Sequence, residues 1–166
     1  MTGMAKKLSL YSLLTALCLI FGYIESLLPL SFIAPGIKLG LANSVSMLLV
    51  FRDDIKGAFA VNTARILLSA LLFSSPFALF FSLSAGIISL TAAVFVKKIH
   101  CISPVGVSAA AAAVHNTVQL TAASILFGAG VWYYLPLLLA AAAVSGTAMG
   151  ALCLLILKKM ETNGLI

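Results

Sequence analysis

Apolar residues run through this chain in six stretches, at about 8–28, 39–51, 57–73, 77–96, 105–127 and 134–157, separated by charges, glycines and prolines. Each predicts a helix. Most are long enough to cross the ~30 Å hydrocarbon layer of a bilayer, but the second covers only about 20 Å at helical rise. It must tilt little, sit beside a loop that dips inward, or border a cavity. Pro29, Pro35, Pro76, Pro104 and Pro136 fall at or near the predicted ends, where a missing N–H does least harm.

Composition turns this pattern into a class. Hydrophobic residues are 63% of 166, charged residues 8%, and mean hydropathy is +1.20, so too few polar positions exist to cover a water-facing surface. The expectation is an all-α integral membrane protein, a single membrane domain over 1–166. A net charge of +6 does not indicate nucleic acid, because the basic residues sit in small groups at segment edges rather than in a patch interleaved with aromatics. Lys6-Lys7, Arg52 with Lys56, Lys97-Lys98 and Lys158-Lys159 mark alternate segment ends, which by the positive-inside rule gives six spans with both termini cytoplasmic. Lys38 and Arg65 stand outside this pattern.

The N-terminus resembles a signal peptide, but no A-x-A site follows and the apolar run is long enough to span, so it reads as the first helix. Cys18, Cys101 and Cys153 are far apart, with no C-x-x-C, and read as packing residues. Gly146 and Gly150 in G-x-x-x-G spacing, with alanine tracts at 109–113 and 140–143, predict closely packed helices. Ser12 and Ala16 form a similar small pair on the first helix, which serves either internal packing or another protein. The loop GAGVWYY, 128–134, reads as an aromatic belt at the interface, or alternatively as a lid that stacks on a planar ligand.

Polar residues inside apolar spans carry the candidate chemistry. Glu25 lies near the far end of the first helix and Lys38 at the start of the second, with Asn43 one turn on. Arg65 falls ~12 Å into the third helix and His115 ~15 Å into the fifth. Asn62, Arg65 and Ser69 share one helical face, as do His115 with Gln119 and Asn116 with Gln119. An exposed charge at mid-bilayer costs at least ~2.5 kcal/mol, so Arg65 must face the bundle interior or a wet cavity. One reading is structural: Arg65 pairs with Glu25 or helix-end carbonyls, and the amides bridge helices. The other is a binding site, in which Lys38 and Arg65 hold the carboxylate or phosphate of an organic anion and Asn116 and Gln119 take ring polar atoms. For Lys38, snorkelling to headgroups stands beside that second reading.

Asp53-Asp54 raises the question of diphosphate chemistry. Prenyl synthases carry two D-D-x-x-D motifs to hold magnesium, whereas this chain has one D-D-I-K-G and no second copy. Helix capping or subunit contact is the expected role. No Ser-His-Asp set, H-E-x-x-H, P-loop or dinucleotide fingerprint occurs, and four acidic residues give little acid–base inventory. Neither catalysis, a resident metal nor a covalently bound cofactor is expected.

PGIKLGLAN, NTARILLSALLF and SPVGVSAAAAAVHNTVQL together resemble the Gx transporter family, whose members are often labelled heptaprenyl diphosphate synthase component I. That family in turn resembles the substrate-binding S-components of energy-coupling factor (ECF) transporters. The resemblance implies a six-helix subunit in a prokaryotic cytoplasmic membrane, with a transmembrane T-component and two ATPase subunits as partners that use ATP. It places the T-component contact at Ser12 and Ala16, Ser12 standing where alanine is usual. A ligand near the outer face is implied: a vitamin, a flavin, or an isoprenoid or quinone precursor. The competing expectation is a non-catalytic membrane accessory subunit, of polyprenyl and quinone synthesis or of flavin-based extracellular electron transfer.

Overall fold

A computed structural model describes residues 3–27, 40–73, 76–99 and 101–163, and these are helical almost throughout. Six α-helices follow in order: α1 (Gly3–Leu27), α2 (Leu41–Phe51), α3 (Ile55–Phe73), α4 (Pro76–Lys97), α5 (Pro104–Phe127) and α6 (Leu135–Thr162). A 3-10 turn, Ala129–Tyr134, leads into α6 where an irregular loop was expected. Five segments are long and apolar enough to cross a membrane, and α2 is the short one. This is a multi-pass membrane architecture. Helix starts and ends differ from the sequence expectation by a few residues; α1 takes in Lys6 and Lys7, and α6 runs on past Lys158 and Lys159.

The short helix is the centre of the bundle. α2 packs on α1, α3, α4 and α6, and seven of its eleven residues are buried, Val50 completely. Its apolar residues pack inward and its polar ones, Asn43, Ser44 and Ser46, face the bundle interior, and a helix surrounded by longer ones has no need to match the bilayer itself. Its two ends are each met by a charge. The Gly40 N–H at its start donates to Glu25 Oε1 at 2.8 Å, and Lys97 Nζ donates to the Val50 and Phe51 carbonyls at its close, at 2.8 and 3.3 Å. A carboxylate at a helix N-terminus and an ammonium at the C-terminus both suit the helix dipole. Gly40, at φ 76°, supplies the left-handed residue that opens the helix.

α5 and α6 form the most extensive pair in the bundle. Gly146 and Gly150 explain it: a Cβ on either would lie 2.6 Å from a backbone Cα of α5, Ala109 and Val105 respectively. The G-x-x-x-G spacing is thus spent on bringing two backbones together. Cys18 and Cys153 are buried packing residues, while Cys101 is exposed on the α4–α5 connection.

The Asp53-Asp54 pair caps and clamps. Asp54 opens α3, its Oδ1 accepting from the Gly57 N–H at 3.1 Å and its Oδ2 from Tyr11 Oη at 2.6 Å, so α1 is tied to the α2–α3 turn. Asp53, at φ 61° and exposed, pairs with Lys97 at 2.6 Å. The Tyr11 hydrogen bond, outweighing burial and helped by the Gly57 N–H, Lys7 and Arg52, holds the Asp54 carboxyl below its ordinary 3.8. A depressed carboxylate stabilises the fold above that ordinary value, and its contribution is lost as pH falls through 3.8 toward the folded value. Melting temperature in detergent is therefore expected to decline below about pH 4, and Tyr11→Phe should flatten the decline. An unchanged acid limb in Tyr11→Phe would assign the loss to other carboxylates.

Candidate functional site

All six helices contribute to one cavity of about 940 Å³, its open mouth included. It runs from Glu25 and Gly40, at the end of the bundle away from Lys6, Lys7, Arg52, Lys56 and Lys97, to Ser46, Ser108 and Met149, nearer to them. The stripes Asn62–Arg65 on α3 and His115–Asn116–Gln119 on α5 both face it, as do Glu25 and Asn43. Seven of the eight residues singled out for binding therefore line one space. The eighth, Lys38, lies outside the described residues.

Arg65 organises the wall formed by α2 and α3. Its Nη2 donates to Asn43 Oδ1 and to Asn62 Oδ1, each at 2.9 Å. A guanidinium can only donate, so both amides are fixed with their oxygens toward Arg65 and their NH₂ groups turned away. Among the described residues no carboxylate lies within ion-pair distance of Arg65. The expected alternative of an Arg65–Glu25 pair is not what forms; Glu25 is engaged at the start of α2 instead.

On α5 the roles divide. Asn116 Nδ2 donates to the Leu138 carbonyl at 2.8 Å, which ties α5 to α6 and spends part of that amide on helix packing. His115 Nδ1 lies 3.4 Å from Ser89 Oγ on α4. Gln119 lines the cavity beyond them.

Four buried polar atoms have no hydrogen-bond partner among the described residues: Arg65 Nε, Asn62 Nδ2, Ser46 Oγ and Ser108 Oγ. Leaving one such group unpaired costs about 1–3 kcal/mol, and all four lie on residues around one space. Ser46 and Ser108 are not among the residues singled out from the sequence. A signal was there: Ser46 lies one turn after Asn43, and Ser108 two turns before His115, on the faces already singled out.

Gly86 on α4 completes the site by omission. A Cβ there would meet Ile66 Cδ1 at 2.6 Å and Asn62 Nδ2 at 3.0 Å, so glycine leaves the Asn62 amide clear. The arrangement sets hydrogen-bonding groups beside the apolar walls of Met47, Leu90 and Ala111. Described residues bring together no group of three metal-capable side chains.

The family model for heptaprenyl diphosphate synthase component I matches residues 14–156. The chain belongs to that family. No curated protein and no solved structure matches it. In this component I chain the matched region holds every cavity-lining residue from Glu25 to Met149. Ala16 falls within it and Ser12 just before it. Both are exposed on α1, whose buried residues are Thr15 and Cys18, and Ser12 Oγ donates to the Leu8 carbonyl at 2.9 Å.

Proposed function

We propose that this component I protein is the substrate-binding subunit of an ECF-type transporter, not an enzyme. It would take up a small organic anion near the outer face of a prokaryotic cytoplasmic membrane, through six spans with both termini inside. The observation that carries the reading is Arg65: a guanidinium set in an apolar bundle, held by two amides and facing a cavity with its Nε unpartnered. A charge so placed is costly, and functional intramembrane charges are the usual reason such a cost persists. Asn43 and Asn62 position it, His115, Asn116 and Gln119 line the opposite wall, and Lys38 is proposed as a second anion contact. The grouping of Lys6, Lys7, Arg52, Lys56 and Lys97 around one end of the bundle supports the orientation. ATP would be used by two ATPase subunits, coupled through a T-component that docks on α1 at Ser12 and Ala16.

The family's description favours a second reading, a non-catalytic membrane subunit beside a polyprenyl diphosphate synthase. One preparation separates them. Protein gently extracted from its own host is expected to carry a small anion together with T and ATPase subunits. Ser12→Leu or Ala16→Leu should lose those subunits and keep the anion, read by native mass spectrometry. Recovery of a prenyl synthase in their place, with no small molecule, would move the assignment to the accessory role.

A further inference from the structure

The four unpartnered atoms of the cavity fall into two chemically different groups. Arg65 Nε and the Asn62 Nδ2 amide nitrogen can only donate. They require acceptors from whatever enters. One charged and one neutral donor suit the two oxygens of a carboxylate. Glu25 lines the same cavity, which sets a negative charge against any multiply charged group such as a diphosphate.

Ser46 and Ser108 differ, because a hydroxyl both donates and accepts. Helical serines in this chain ordinarily bond back onto their own helix, as Ser44 does to Leu41, Ser84 to Phe80 and Ser89 to Gly86. Ser46 and Ser108, 2% and 4% exposed, do not. On α2, Ser46 lies ~4.5 Å beyond Asn43 toward the basic end, and on α5, Ser108 lies ~10 Å beyond His115 in the same direction. Met47, Leu90 and Ala111 give the cavity apolar walls.

We propose that the cavity has two recognition poles, Arg65 with Asn62 for a carboxylate and Ser46 with Ser108 for a hydroxyl or carbonyl oxygen, so that its ligand is a monoacid carrying a second oxygen function. The inference rests on the binding role proposed above and names the class of molecule that role serves. It also separates stability from recognition. Replacing either serine by alanine removes an unpaired hydroxyl without changing shape, so the empty protein should melt about 2–4 °C higher as it binds less well.

The test presents purified protein in detergent with a small-molecule extract of its host cells, removes free compounds by gel filtration, and identifies what is retained by mass spectrometry. Wild type is expected to retain a monocarboxylic acid bearing a second oxygen function. Ser46→Ala/Ser108→Ala should retain at least ~10-fold less of it, one lost hydrogen bond being worth about that factor. A retained compound without an acid or without the second oxygen would overturn the two-pole assignment and leave the binding role standing. So would full retention by the double serine variant, or a fall in its melting temperature, which would give the hydroxyls a structural task. No retained compound in wild type would overturn both the poles and the binding role.

Discussion

Arg65→Met is expected to lose the bound anion while the protein stays folded. Truncating one partner of a buried, hydrogen-bonded charge pair costs about 2–5 kcal/mol of binding, roughly 30- to 5000-fold in affinity. Stability moves differently. Arg65 holds two amides at 2.9 Å, and Asn43 and Asn62 lose that donor, but the fold no longer has to bury a guanidinium. Exchanging a buried charge for an apolar side chain of similar length is often neutral or stabilising. Retained small molecule should therefore fall below detection at a melting temperature equal to or above wild type. Arg65→Lys should land between, since an ammonium keeps the charge and can still donate to the amides but lacks the Nε–H left over for a ligand. Wild-type retention by Arg65→Met would remove the guanidinium from the site.

The second large effect lies on α5 and α6. Gly146→Ala with Gly150→Ala sets two opposing terms against each other. Alanine is the better helix former by about 0.8–1 kcal/mol per site, which on its own predicts a gain. Each new Cβ, however, arrives 2.6 Å from a backbone carbon of α5, an atom that cannot turn aside as a side-chain end can. Overpacking costs about 1–3 kcal/mol per site and more where backbone must move. Sterics should win, lowering the melting temperature and opening the seam beside Ser108 and Ala112, which those glycines touch. A rise of several degrees would mean that propensity dominates and the two helices have room to spare.

Much of this was legible in the pattern of the chain because lipid leaves few choices. Apolar runs bounded by Arg52, Lys97 and Pro104 fix helices to within a few residues, since backbone groups inside a membrane must pair within their own helix. Asn62 and Arg65 at helical spacing, and His115 with Gln119, pointed inward for the same reason. What stayed hidden depends on distance through space. Nothing in the run up to Asp54 says that Tyr11, far away in sequence, would reach it, or that Lys97, legible as a topology charge, would bend onto the last carbonyls of α2. Glu25 looked like a partner for Arg65 by charge alone, yet the Gly40 N–H claims it. Ser46 and Ser108 shared faces with Asn43 and His115, but a serine in a helix usually satisfies itself, and whether it does so is a matter of rotamer rather than of sequence.

The enclosed position of α2 has a bearing on the membrane itself. A spanning helix answers to the thickness of its bilayer, tilting when the hydrocarbon is thin and straightening when it is thick. α2, capped by Glu25 at one end and Lys97 at the other, answers to neither. Asn43 and Ser46 ride on it one turn apart, so their spacing is set by the pitch of a single helix. Lipids of different chain length can re-tilt the surrounding helices, yet the distance between Asn43 and Ser46 on α2 keeps its gauge.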